Sequence, residues 1–392
     1  MKFKLLGGIA TLLLSNGLNA QDSISDKIEL TIQQHDENNK HVAYPKFKLG
    51  GVFQGRFLAN FKENVDVNGV QHSDGKRVSN TFEVKRMRVS LNAKLSENLE
   101  VNTLVNFADF KSDPKTKVLE NAFVKYKINK YLQLQGGQFR PAFGIEDSHA
   151  VDIIKTLDWS NAYFLMGSNG WQSFQIGAAA SGVVDLGKVP FNYSVSITNG
   201  NGKNTLDNDN GKHYSGRFLF DLDKRNNFKL GTSLGIGDER NKSIYAVGLE
   251  ATYTIKLAPK WSIELQAEGF QATNQVLFFN EQDKLDEIAA AQLNINDYIL
   301  KGFYVLPNLR YEIGKKRLQA LEFSMRYEYL DASSKINSDP RQTWTPMVSL
   351  GFLKDYGARL QIGMQIDNYK NNIPNTKNYN SNLGFVQLQC RL

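Results

Sequence analysis

The chain has a single cysteine, Cys390, and so closes no disulfide of its own. Beyond the N-terminus it has no run near the roughly 18 apolar residues that a membrane-spanning helix requires, which excludes a helical membrane protein. Its five histidines, His35, His41, His72, His149 and His213, lack the close spacing of a zinc-ligand set. With 9 prolines and no Pro/Ser-rich stretch it also lacks a linker, although a soluble chain of this length ordinarily divides into two or three domains. One continuous domain is therefore the expectation.

What is present begins with export. Lys2 and Lys4 form a basic start, Leu5 to Leu14 an apolar core, and Ala20 is a small residue ahead of a polar stretch. That pattern reads as a signal peptide over residues 1–20, followed by a polar periplasmic leader over 21–45 and a barrel domain over 46–392. Without Lys2 and Lys4 the formal charge of +7 falls to +5. A basic excess on an exported chain points to small anions or lipid headgroups as partners and away from nucleic acid.

From Lys46 onward the texture has a period of two. Phe47, Leu49, Phe53, Phe57, Ala59 and Phe61 take odd positions, and Lys46, Lys48, Gln54, Arg56 and Asn60 take even ones. Alternation over about 16 residues exceeds an ordinary strand of about 5–6 and suits a tilted strand that outruns a bilayer. The same texture recurs to the C-terminus, and sixteen such segments can be counted between Lys46 and Leu392. An even number closes an antiparallel barrel, and sixteen strands leave a water-filled lumen.

The connections agree with that count. Those after even-numbered segments are short, among them SEN, NK, DLGK and DKRNN, whereas those after odd-numbered ones are mostly long. Short periplasmic turns with long outer loops are the asymmetry of a membrane barrel. Residues 141–170 form the longest connection, in the third of the odd-numbered positions, and loops of that length are commonly functional. The expected fold is all-β: a 16-stranded antiparallel transmembrane β-barrel whose third long loop folds inward. Trp261, Tyr253, Tyr298, Tyr304, Tyr327 and Tyr329 are expected to supply its aromatic girdles.

Specific stretches carry a family likeness. FEVKRMRVSLNAKLSENLEV and LENAFVKYKINKYLQLQGGQFRPAFGIED, with LEFSMRYEYLD and VSLGFLKDYGARLQIGMQ further on, resemble the phosphate-selective porin O/P family. The likeness runs from about Lys46 onward, and GQFRPAFGIED is its most specific piece. The resemblance implies a homotrimeric channel in the outer membrane of a Gram-negative bacterium, without cofactor, passing small hydrophilic solutes and preferring anions. Phosphate and polyphosphate are the family's anions, but specificity for them is not carried over, because the sequence does not place the basic wall at the constriction.

Alternation also assigns the inward side chains. The basic set comprises Arg56, Arg86, Arg88, Lys94, Lys125, Lys127, Arg326 and Arg359, extended by Lys46, Lys48, Arg217, Lys229 and Lys256. Glu250, Glu264, Glu268, Glu322 and Glu328 form an opposing acidic wall. Facing walls of opposite sign set up a transverse field, and a guanidinium fork suits phosphate or carboxylate better than an ammonium does. In the long loop Glu146, Asp147, Asp152 and Asp158 outnumber Lys155, with His149 among them. An acidic loop opposite a basic wall is expected to anchor itself by ion pairs.

Signals of other functions are weak. Gly231 to Gly235 match a nucleophile elbow, but that motif needs a strand-to-helix turn and here lies within an alternating segment. Asp207 to Gly211 hint at a calcium loop, yet Phe218 stands where the bidentate Glu belongs. Glu281 to Asn294 read as a short helix packing on the barrel mouth. Two rivals to a porin stay open at this point: an adhesive or structural barrel with an occluded lumen, and a barrel enzyme.

Overall fold

The period of two becomes the two faces of one sheet. The computed structural model describes residues 29–31, 44–111 and 117–392. The signal peptide lies outside these residues, as does the leader apart from Glu29–Thr31, Tyr44 and Pro45. Strands run as β1 Lys46–Asn60, β2 Asn80–Lys94, β3 Leu99–Asn106, β4 Leu119–Lys127, β5 Gln133–Phe139, β6 Gln175–Leu186, β7 Val189–Thr198 and β8 His213–Asp223. The second half adds β9 Phe228–Glu239, β10 Lys242–Ala258, β11 Trp261–Thr273, β12 Ile299–Lys315, β13 Leu318–Asp331, β14 Arg341–Gly351, β15 Ala358–Tyr369 and β16 Ser381–Arg391.

Each strand pairs antiparallel with the next, and β16 returns to β1, from Leu383 opposite Asn60 to Arg391 opposite Val52. The sixteen strands thus close an antiparallel barrel, which leaves no unpaired edge around the ring. Glu29–Thr31 adds a short antiparallel strand beside Lys46, Phe47 and Lys48.

Burial alternates along the strands in the sense opposite to a soluble protein. On β13, Phe323 and Met325 are exposed while Glu322, Ser324, Arg326 and Glu328 are buried. On β12, Phe303 and Val305 are exposed while Tyr304, Leu306 and Asn308 are buried. An apolar face turned outward around the ring needs an apolar medium to cover it. No helix among the described residues is long and apolar enough to cross a membrane. Tyr304 and Tyr298 leave the expected girdle set: both are buried, because Tyr304 shares the polar face and Tyr298 precedes β12 in an apolar cluster.

The alternation of short and long connections has one exception. Only Arg240 and Asn241 join β9 to β10, both at positive φ (46° and 61°), as a two-residue hairpin turn demands. Residues 140–174 carry α1 Gly144–Ser148 and α2 Asn161–Ser168, and residues 274–298 carry α3 Gln275–Gln282 and α4 Glu287–Gln292. The helix expected over Glu281 to Asn294 is therefore two pieces. Asp286 starts the second by accepting the Ala289 N–H at 2.9 Å. Phe143, Met166 and Trp171 from the first connection pack with Phe278, Phe279 and Tyr298 from the second, against Ile244, Phe270 and Leu300 of the sheet.

Candidate functional site

The connection from β5 to β6 is tied to the sheet through its own backbone. Gly144 sits at φ +78°, and a Cβ there would lie 1.9 Å from Glu268 Oε1, so only glycine fits. That same carboxylate accepts the Ile145 N–H at 2.7 Å, and Ser233 Oγ accepts the Gly144 N–H at 3.0 Å. Glu328 accepts the Asn161 N–H at 2.7 Å, satisfying an otherwise orphaned donor at the start of α2. Carboxylates of the expected acidic wall thus receive backbone amides.

The basic residues act in the complementary sense. Arg326 donates to Thr156 Oγ1 at 2.8 Å and to the carbonyls of Asp158 and Trp159 at 2.9 and 3.1 Å. Its guanidinium also lies 2.7 Å from Glu328 and 3.7 Å from Glu146. Arg359 donates to the carbonyls of Asp152 and Ile154 at 2.9 and 2.7 Å. Arg391, which parity reading did not single out, pairs with the Asp152 carboxylate. Lys155 reaches Glu264 at 2.6 Å and Glu322 at 3.5 Å, and also bonds the Tyr356 hydroxyl. Burial alone would lower the Lys155 ammonium, but Glu322, Tyr356 and Glu264 outweigh it and hold it above the ordinary lysine range.

Across from these, Asp158 meets three cations: Arg86 at 2.6 Å, Lys85 at 3.3 Å and Arg56 at 3.9 Å. Burial would raise its carboxyl, yet Arg86, Lys85 and Arg56 together hold it well below the usual carboxylate range. Arg56 also pairs with Glu83, and Arg88 with Glu120 at 2.6 Å.

Lys85 and Glu120 were missed by strict alternation, and both are β-bulges. Gln54 faces Arg86 while Gly55 faces Val84, leaving Lys85 between registers. Likewise Leu104 faces Asn121 and Val105 faces Leu119, leaving Glu120 unpaired in the ladder. A bulge re-aims the extra side chain, and each of these joins the Arg86–Arg88 side of the sheet. The run Lys85-Arg86, two adjacent charges inside an alternating strand, was the available signal for the first.

The remaining candidates lie apart from this network. Lys125 is 3.8 Å from Glu100. Lys94 and Lys127, at the ends of β2 and β4, are exposed. Arg217 forks onto Glu250 at 2.9 and 2.5 Å.

Two carboxyls of α1 are perturbed upward. Glu146 accepts the Ser160 N–H at 2.8 Å and Asp147 the Ser173 N–H at 2.9 Å. Burial dominates both and pushes each to about 7, against the pull of Arg326 on Glu146 and of Arg140 on Asp147. Burial, with Arg217, Lys155, Lys229 and Arg140 around it, pushes His149 down to about 4, so its imidazole is neutral near pH 7. Among the described residues no group of three or more His, Cys, Asp or Glu side chains could hold a metal ion.

Three cavities border residues 140–174. Two, of about 460 and 650 Å³, share Ser148 and His149 and extend toward the short-turn end, the first reaching Asn227 and the second Lys48 and Leu392. A third, of about 310 Å³, extends toward the long connections at Gly202 and Lys203. The second and third share Arg88, Arg140 and Phe174.

A family model described as phosphate-selective porin O and P matches residues 57–350 of this chain. The chain belongs to that family. Among solved structures, the porin is similar to the outer membrane channel DcaP of Acinetobacter baumannii, with TM-score 0.54 and 13% identity over 89% of this chain and 97% of that one. It is similar also to OmpF of Salmonella typhi, solved with daunomycin, at TM-score 0.57 and 11% identity over 89% and 98% of the two chains. The trimer form of OmpT of Vibrio cholerae gives TM-score 0.52 and 11% identity over 89% and 100%. No curated protein sequence matches the chain. At such identities the likeness speaks for the fold; with the family it makes this porin an outer-membrane channel protein.

Proposed function

We propose that the porin passes small hydrophilic solutes passively across the outer membrane, with a preference for anions that includes phosphate, and that residues 141–170 fold into the lumen and constrict it. The observation that carries this reading is the origin of the connection's polar partners. They come from β1 and β2 (Arg56, Lys85, Arg86), β9 (Ser233), β11 (Glu264, Glu268), β13 (Glu322, Arg326, Glu328) and β15 and β16 (Arg359, Arg391). That one connection meets polar-face side chains from strands spread around a closed ring supports a path across its inside. Cavities on both sides of it favour a narrowed channel over an occluded, purely adhesive barrel.

Anion preference is supported by Arg88 and Arg140, each of which lines two of those cavities. Low-dielectric walls strengthen the field of such groups on a partly dehydrated ion. The trimer form of the similar OmpT favours a homotrimer here. The signal pattern of residues 1–20 fits export to that membrane.

Planar-bilayer recording of the purified protein in a chloride gradient, titrated with phosphate, tests the proposal. Stepwise channels with an anion-directed reversal potential and block by low phosphate are expected. Channels indifferent to phosphate would leave a general porin on the family's scaffold. Folded protein without channels would reject transport in favour of the occluded barrel.

A further inference from the structure

The wall shared by the two cavities, where Arg88, Arg140 and Phe174 line both, has a chemical character that a bare inorganic anion does not use. Arg140 is immobilised in it. Its Nη1 donates to the His149 carbonyl at 2.9 Å and to those of Glu146 and Asp147 at 3.4 Å. The guanidinium carbon lies over two rings, 5.1 Å from the Trp159 centroid and 5.0 Å from that of Phe174. Among the described residues its Nε and Nη2 have no hydrogen-bond acceptor, and no carboxylate stands at ion-pair distance. The neighbouring cations differ in this respect: Arg86 is paired with Asp158, Arg88 with Glu120, and Lys203 with Asp109 at 3.6 Å and Glu120 at 4.0 Å. Arg140, which lines both cavities, therefore keeps a fork of donors without a protein acceptor.

The second observation is apolar. Phe143, Ile145, Val151, Leu157, Trp159, Met166 and Trp171 of the same connection are buried. Phe164, on the face of α2 that lines the 310 Å³ cavity with Arg86, Arg88, Arg140 and Lys203, is 49% exposed. It is the one large apolar side chain of residues 140–174 left in that state. A ring bare to water beside a guanidinium with free N–H groups is a matched pair of features. The fork binds a carboxylate side-on, and the ring covers the flat apolar body behind it.

We propose that the 310 Å³ cavity, which Arg140 and Phe164 both line, is a binding subsite for small organic anions bearing an aromatic ring, the aryl carboxylates, held by Arg140 at the carboxylate and Phe164 at the ring. The inference rests on the channel reading above and adds the solute class. An inorganic anion or acetate reaches the fork and leaves the ring uncovered; benzoate covers both.

The test compares benzoate, acetate and inorganic phosphate as blockers of the reconstituted full-length protein, with calorimetric titration of the detergent-folded protein in parallel. Benzoate is expected to half-block at about one tenth the concentration of acetate, the size of one aromatic contact, and below that of phosphate. Phe164→Ala should bring benzoate to the acetate level, and because the side chain is exposed the exchange leaves the packing beneath it in place. Arg140→Gln should weaken both carboxylates together. Equal block by benzoate and acetate, a lower half-block for phosphate, or a benzoate preference that survives Phe164→Ala would overturn the proposal. A cation-directed reversal potential, or no conductance, would instead reject the anion-channel reading. In that event the calorimetric ratio of benzoate to acetate still decides the subsite.

Discussion

The two flanks of residues 140–174 are built differently. Toward β9 to β13 the connection is fastened by backbone donors on Glu268, Glu328 and Ser233, by Arg326 on its carbonyls, and by apolar packing that includes Phe143, Trp171 and Phe270. Toward β2 to β5 it is held by side-chain ion pairs at Asp158, and the shared wall of Arg88, Arg140 and Phe174 lies on that flank. Backbone hydrogen bonds fix position because the amide has one direction and no rotamers to exchange, whereas long side chains adjust. One flank sets where the connection lies; on the channel reading proposed above, the other leaves room beside side-chain charges.

Removing the connection should erase the comparison altogether. Deleting residues 148–166 takes away Asp152, Lys155 and Asp158 with their partners, and the unit conductance in planar bilayers should rise clearly. Unaltered conductance would mean that the narrowest point lies elsewhere. Next in size is Arg326→Met, which loosens the fastened flank most directly. It leaves Glu146 and Glu328 buried without their shared cation, and breaking a buried pair this way costs about 3–5 kcal/mol. Hydrogen exchange at the Ser160 and Asn161 amides should lose protection by that measure, while amides on the distant β7 keep theirs.

How far the fold could be read from the residues follows from what repeats. Alternation carried the strand number and which side chains share a strand face, because a period of two leaves a trace at every position and turn residues punctuate it. Bulges leave almost none. Lys85 and Glu120 each break the period by one residue, and both contribute a charge next to Arg86 and Arg88. Partner choice was equally hidden: Arg326 and Arg359 share the polar face by parity, but their bonds to carbonyls 168 and 205 residues away depend on the path of the connection. The glycine at position 144 reads as any glycine until the Glu268 carboxylate is seen where its Cβ would stand.

The third prediction sharpens the open flank. Arg56, Arg86 and Arg88 exchanged together for glutamine leave Asp158 with Lys85 and leave Glu120 with Lys203 at 4.0 Å. The reversal potential in a salt gradient should move toward cations while the barrel still migrates as a folded species. An unchanged potential would confine ion preference to Arg140 and the residues below it.

The smallest expected effect is on the pH dependence of the fastened end. Burial raises Glu146 and Asp147 to about 7, so the folded connection binds protons that an unfolded one has already released. Their contribution is fully present below the ordinary carboxylate range near pH 4 and is given up as pH rises through about 7. Asp158 runs the other way: its contribution is present above the ordinary range and is lost only as pH falls far below it. Between about pH 5.5 and about pH 8 the first pair titrates and Asp158 does not. Protection of the Ser160 and Ser173 amides, which bond these two carboxylates, should therefore decline over that interval once intrinsic exchange is subtracted. Glu146→Gln with Asp147→Asn should flatten the decline, because an amide side chain stays neutral across it. A decline of equal slope in that variant would assign the pH response to other groups, and the buried carboxyls would then be fixed in one protonation state throughout.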